Sequence, residues 1–257
     1  MAQRKSPSPG KIRIGIGGWV FAPWRSSFYP EGLPQKSELD HASRQFPSLE
    51  VNGTFYRTQT PETFQHWHDA VPDDFVFALK APRYTTSRKV LAEAGESIDR
   101  FLTSGLTRLQ SKLGPINWQF APSKRFDPED LAALLDLLPA SIDGLPLRHA
   151  LELRHESFHD PSIAAEAAAL AKARNVAIVT AGDSPYPRIE ADTADFVYAR
   201  IMGTDEAHPL GYAPKALDAW AGQVKDWAQA GRDVYLYVIS GAKARNPAAA
   251  MALIERL

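Results

Sequence analysis

An irregular (β/α)₈ barrel of the TIM type, an α/β fold, is what this sequence predicts, on three observations. Eight short β-type runs recur along the 257 residues. Segments of helical apolar periodicity separate most of them. The length is also typical of a barrel closed by eight strands, and strict alternation of strand and helix points to a parallel sheet.

The β-type runs are IRIGIGG (12–18), LEVN (49–52), FVFALK (75–80), INWQF (116–120), HALELR (149–154), VAIVT (176–180), FVYARI (196–201) and DVYLYV (233–238). Helical periodicity covers 35–46, 61–70, 95–112, 127–138, 161–174, 215–230 and 246–257. Thr60-Pro61, Asp127-Pro128, Asp160-Pro161 and Asn246-Pro247 supply caps or first-turn prolines. Between the sixth and seventh runs lies only AGDSPYPRIEADTAD, with two prolines and little periodicity, so the helix there is expected to be missing. The competing open doubly wound sheet would carry a P-loop or G-x-G-x-x-G fingerprint, and GIGGW has the wrong spacing. Residues 1–10, polar and proline-rich, are expected to form a disordered tail, and 11–257 a single barrel domain.

Composition removes several functions. The chain has no cysteine, which excludes disulfides, thiolate nucleophiles and cysteine metal sites. Its formal net charge is −1, without the basic field of a protein that holds duplex nucleic acid by charge. No apolar run approaches the roughly 20 residues of a membrane span, and the N-terminus has no signal-peptide core. A cytoplasmic protein without a membrane partner is expected.

Strand residues two apart share a face. Glu50 and Asn52 therefore lie together, opposite Val51, and Glu152 and Arg154 lie together, opposite Leu151 and Leu153. In FVFALK the bulky Phe75, Phe77 and Leu79 suit the helix layer, which leaves Val76, Ala78 and Lys80 inward. INWQF turns Asn117 and Gln119 inward, and Arg200 ends the row of Phe196 and Tyr198. Polar groups thus gather at the C-terminal strand ends, where barrel active sites are built. The expected constellation is Glu50, Asn52, Lys80, Gln119, Glu152, Arg154 and Arg200, joined by Asp183 from the loop after the sixth strand.

Taken together, IGIGGWVFAPWRSSFYPEGLP, LEVNGTFYRTQTPETFQHWHDAVPDDFVFALKAP, LGPINWQFAP, ALELRHESF and DFVYARIMG resemble the YecE-like family, domain of unknown function 72. The likeness runs from about Lys11 to the C-terminus. It implies a TIM-barrel-like fold and leaves the activity open. Family-typical positions fall on Trp19, Trp24, Phe28, Tyr29, Glu50, Asn52, Phe55, Tyr56, Trp67, Lys80, Gln119, Glu152, Arg154, Asp183 and Arg200. The chain departs from the pattern at Met202 and Ser87, where the family has histidine. It departs again at Ser240, near a family asparagine, and at Phe158, where tryptophan is typical. Any chemistry of the family that uses those groups is expected to be altered here.

Three cations, Lys80, Arg154 and Arg200, point to a small anionic ligand, phosphorylated or carboxylated, which guanidinium groups grip in bidentate fashion. Glu50, Glu152 and Lys80 are the expected catalytic groups of an acid–base enzyme. Trp19, Asn52, Tyr56, Gln119, Arg154, Asp183 and Arg200 are the expected substrate-binding groups. Glycoside hydrolysis needs two placed carboxylates, but the fourth and seventh strands end in Gln119 and Arg200. A Schiff base on Lys80 needs a depressed pKa, and the two glutamates are expected to raise it. Glu50, Glu152 and Asp183 offer oxygen ligands suited to Mg²⁺ or Mn²⁺, but the seven histidines form no recognised ligand set, and neither metal nor cofactor is assigned. The alternatives are a nucleic-acid-binding protein or nuclease, stacking bases on WVFAPWRSSFY, and a non-catalytic ligand-binding scaffold.

Overall fold

Residues 8–257 are described by the computed structural model. The barrel strands are β1 (Ile12–Gly17), β2 (Ser48–Val51), β3 (Val76–Lys80), β4 (Leu113–Gln119), β5 (His149–Glu152), β6 (Ala177–Ile178 and Thr180–Ala181), β7 (Phe196–Ile201) and β8 (Asp233–Val238). All pairings among them are parallel, and β8 returns to β1. The sixth strand is split. Its first half pairs with β5 and its second with β7, so the ring closes through a break at Val179. Ile178 N–H, left without a β7 partner, donates instead to Thr193 Oγ1 at 3.0 Å.

The expected helices form, with shorter ends. Glu38–Gln45, Pro61–Asp69, Pro128–Asp136, Pro161–Lys172, Pro214–Gln229 and Asn246–Ile254 surround the strands. Thr60, Asp127 and Asp160 accept hydrogen bonds from first-turn N–H groups as caps. Asn246 does not cap: it lies inside its helix, and its Oδ1 accepts from Thr204 Oγ1 at 2.8 Å. The segment 95–112 is not one helix. It breaks into Gly95–Leu102 and a 3₁₀ stretch, Leu106–Lys112, because Gly105 turns the chain at φ 105°. No helix forms between β6 and β7, in agreement with Pro185 and Pro187. The vacancy leaves a cleft of about 950 Å³ between the helices Pro161–Lys172 and Pro214–Gln229, floored by Ile178 and Val197. The expected tail, 1–10, lies mostly outside the described residues; within them, Gly10 N–H already donates to Ala228 O at 2.9 Å.

Two apolar layers form, as alternation requires. Phe75, Phe77, Leu79, Ile116, Trp118, Val51, Leu151 and Leu153 pack outward against the helices. Inside the barrel lie Val76, Ala78, Ala150, Ala177, Val179, Phe196, Tyr198, Tyr235 and Tyr237. This interior is lopsided: β7 and β8 contribute the large rings, while β3, β5 and β6 contribute small side chains. The first strand goes further, with glycine at 15 and 17. A Cβ on Gly15 would stand 1.9 Å from Ser48 O, and one on Gly17 would meet Ile239 Cγ2 at 2.8 Å and Asn52 Nδ2 at 3.2 Å.

Gly15→Ala is therefore expected to cost about 3 kcal/mol, because the added methyl meets immovable backbone. Gly17→Ala meets side chains that can shift, and should cost about 1 kcal/mol. Denaturant unfolding of the two variants checks the order; equal losses would contradict it.

Candidate active site at the mouth of the barrel

Parallel register sets the polar groups side by side. Gly17 pairs with Glu50, Lys80 with Asn117, Gln119 with Glu152, and Arg200 with Tyr237. Arg200, almost wholly buried, stands at the centre. Its Nη2 donates to Glu50 Oε1 at 2.9 Å and its Nη1 to Glu152 Oε2 at 2.6 Å, with a longer contact from Nη1 to Gln119 Oε1 at 3.4 Å. Both glutamates are fully buried. Their remaining oxygens are also taken. Tyr198 OH donates to Glu50 Oε2 at 2.6 Å. Arg154 donates to Glu152 Oε1 through Nη2 (2.7 Å) and Nε (3.1 Å), and Asn117 Nδ2 reaches Glu152 Oε2 at 3.3 Å.

Burial alone would push the Glu152 carboxyl up, but Arg200, Arg154 and Lys80 overcome it and hold the group down at about 2. Burial likewise would lower Arg200, and its two carboxylates hold it above the usual guanidinium range. Burial beside the Glu50 carboxylate raises Tyr198 well above 10, so it remains a donor.

Lys80 behaves differently from the expectation. Burial is the dominant influence, Arg200 adds to it, and the opposing pull of Glu50 and Glu152 does not compensate, so its pKa falls to about 8. The side chain has no carboxylate within 4 Å among the described residues; its Nζ lies 4.2 Å from the centre of the Phe55 ring. Phe55 is delivered by the short helix Gly53–Tyr56, which Thr54 pins down by donating to Lys80 O at 2.7 Å.

Of the other expected residues, Asn52 and Gln119 are half-buried at the strand ends. Arg154 retains 13% side-chain exposure and stacks under Tyr186, 4.3 Å from its ring centre. Three stand apart from this cluster. Trp19 packs edge-on against Trp67 and also touches Phe77, in the layer outside the strands. Tyr56 points to solvent at 72% exposure. Asp183 Oδ1 accepts from the N–H groups of Met202 (2.6 Å) and Gly203 (3.0 Å), fastening the loop after β7.

Phe55, Asn117, Tyr186 and Tyr198 complete the cluster. Tyr198 and Asn117 share the inward rows of Arg200 and Gln119, so alternation already contained them; Tyr186 sits in a loop with no period to read. The aromatics of WVFAPWRSSFY are spent on packing. Phe21, Trp24, Phe28 and Tyr29 contact one another, and Trp24 Nε1 donates to Lys243 O, which leaves no row of stacking faces. A second cleft, of about 760 Å³, lies beside the mouth between the loops after β3 and β4, lined by Arg88, Lys89 and Arg125 among others.

Arg200→Met is expected to leave two buried carboxylates without their shared partner, costing about 3–5 kcal/mol. In the wild type, the lowered pKa of Glu152 supplies stability that is complete above about 4.5 and lost as pH falls towards 2. Thermal unfolding between pH 3 and 8 checks both: the variant should melt far lower at pH 7 and lose much of this acid sensitivity.

The comparisons with known proteins agree with this architecture. UPF0759 protein YunF of Bacillus subtilis (strain 168) is 28% identical over 155 residues, which are 58% of this chain and 53% of that protein; the match spans about half of that relative's length. A DUF72 family protein of Thermotoga maritima MSB8 superimposes with a TM-score of 0.76 at 20% identity, covering 95% of this chain and 98% of that one. A DUF72 family protein of Enterococcus faecalis V583 does so at 0.68 and 18%, over 96% and 98%. The family model described as "Protein of unknown function DUF72" matches residues 13–257. This barrel, with its strand-end cluster of carboxylates and cations, is a member of the DUF72 family.

Proposed function

We propose that the protein is an enzyme that binds a small phosphorylated or carboxylated molecule at the barrel mouth and moves a proton on it. One observation carries this reading: three cations meet two carboxylates, both carboxylates are claimed by arginines, and Lys80 is left without a counter-ion. A buried, unpaired ammonium is costly, and an anion from outside would relieve that cost. Arg154, partly exposed, commits Nη2 and Nε to Glu152 but its Nη1 makes only a 3.4 Å contact to Tyr186 OH, and that end makes it the second gripping group. Asn52 and Gln119 orient the ligand's neutral polar atoms.

The division of labour follows from the partners. All four oxygens of Glu50 and Glu152 are occupied, so these residues set the field and hold Arg200 and Arg154 in place. Lys80, poised near 8, is the group whose charge changes in the range where acid–base catalysis is efficient. Bound anion favours its ammonium, which can then give a proton to the ligand.

Inorganic phosphate or small carboxylates are expected to raise the melting temperature by several degrees at saturation. Because the free lysine loses its proton above about pH 8, the affinity should fall roughly tenfold per pH unit beyond that point. Calorimetric titration from pH 6.5 to 9.5 measures it; indifference to every anion, or a pH-independent affinity, overturns the reading. Lys80→Met should abolish the pH dependence. It should also stabilise the free protein at pH 7 by on the order of 2–3 kcal/mol, because the wild type's burial cost is relieved only as pH rises from 8 towards 10.5.

A further inference from the structure

The molecule contains a second buried lysine that shows what a structural one looks like here. Lys112 is 4% exposed, and its Nζ donates to His68 O and Val71 O, both at 2.8 Å, with Asp73 at 3.7 Å. Its ammonium is fully provided for. Lys80, at 6% exposure, has neither a carbonyl acceptor nor an acid within reach among the described residues, only the Phe55 ring. The fold supplies acceptors to a buried lysine at one place and withholds them at the other, at the end of the barrel where active sites form.

We infer that Lys80 Nζ is a nucleophilic amine that condenses with the carbonyl group of an anionic aldehyde or ketone, forming a Schiff base at the barrel mouth. The inference rests on the anion-binding reading above and adds the substrate's second functional group. The nitrogen lone pair attacks the carbonyl carbon, and the C–O π pair moves to oxygen, which takes a proton to give a carbinolamine. That hydroxyl then leaves with a further proton as water while the nitrogen forms the C=N bond. Overall, ammonium and carbonyl give iminium and one water, and charge is conserved.

The surroundings suit each stage. Burial and the neighbouring Arg200 favour the neutral amine against the attraction of the Phe55 face for its ammonium, and a pKa near 8 leaves about a tenth of it unprotonated at pH 7. The iminium keeps the positive charge of the ammonium it replaces, so the substrate's own anionic group, held beside it, offsets that charge as the bound anion does for the free lysine. Arg154 remains to hold the substrate's phosphate or carboxylate. An iminium withdraws electrons from the neighbouring carbon, which places proton abstraction or carbon–carbon cleavage next to the carbonyl within the site's chemistry.

The test is reductive trapping. The protein is incubated at pH 7.5 with pyruvate or glyceraldehyde 3-phosphate and cyanoborohydride, with and without inorganic phosphate, and its peptides are mapped by mass spectrometry. The expected result is a single adduct on Lys80, formed at least tenfold faster than on Lys112 or any surface lysine, slowed by phosphate and absent from Lys80→Arg. The wild-type peptide map decides the matter even if that variant fails to fold. Adducts scattered over surface lysines, with phosphate still raising the melting temperature, overturn the Schiff base and leave the anion site standing. Scattered adducts with no response to phosphate or carboxylates overturn both.

Discussion

Arg200 ties together two carboxylates that come from opposite parts of the chain. Glu50 is 150 residues before it and Glu152 is 48, and each sits on a different barrel strand. Inside a barrel there is no water to hydrate any of the three, so they are compatible with folding only as a set. Buried ion pairs seldom add net stability against an apolar alternative, but breaking one is expensive. The bridge therefore acts as a requirement for correct closure: β2, β5 and β7 can each be inserted only in the register that brings its charge to the common point. Tyr198 and Asn117 extend the requirement by filling the remaining oxygens.

The lopsided interior makes room for that bridge. Large rings on β7 and β8 face glycine, alanine and valine on the other strands, and the ring hydroxyls are satisfied one by one. Tyr237 meets Ser48 at 2.7 Å and Tyr235 accepts from Arg148 at 3.0 Å. The lower barrel is thus a packed plug whose tyrosine hydroxyls are paired. The upper barrel is a charged layer in which the lysine of β3 is left over. The packed plug below and the charged layer above are separated by about two residues along each strand.

Much of this was legible in the sequence, for a simple reason. Alternation along a strand has only two answers, so one anchored residue fixes the rest: Val51 outward makes Glu50 inward, and Phe77 outward makes Lys80 inward. The proline-bearing stretch 181–195 disclosed the missing helix because it offers no apolar stripe to bury. Beyond the strand ends, periodicity stops being informative. Trp19 and Tyr56 enter the expected site only through the family resemblance, and Asp183 through it and its place after the sixth strand; turns after β1, β2 and β6 carry them to the outer layer, to solvent and to a loop anchor. Tyr186 was hidden for the same reason. For Lys80, neighbouring charge alone points the wrong way, because desolvation outweighs the pull of the two glutamates. Counting glutamates ignores desolvation, which depends on how completely Phe55 and the neighbouring strands exclude water.

The split in β6 has a mechanical meaning. A closed barrel resists deformation because every strand is bonded along both edges; here one strand hands its partners over halfway, and a threonine side chain substitutes for the absent bond. The ring has a seam. Segments with fewer shared backbone bonds open at lower free energy than the rest, and the chain leaving this one runs directly to Tyr186, which covers Arg154. The least secured strand of the barrel therefore adjoins the residue that covers Arg154 at its mouth.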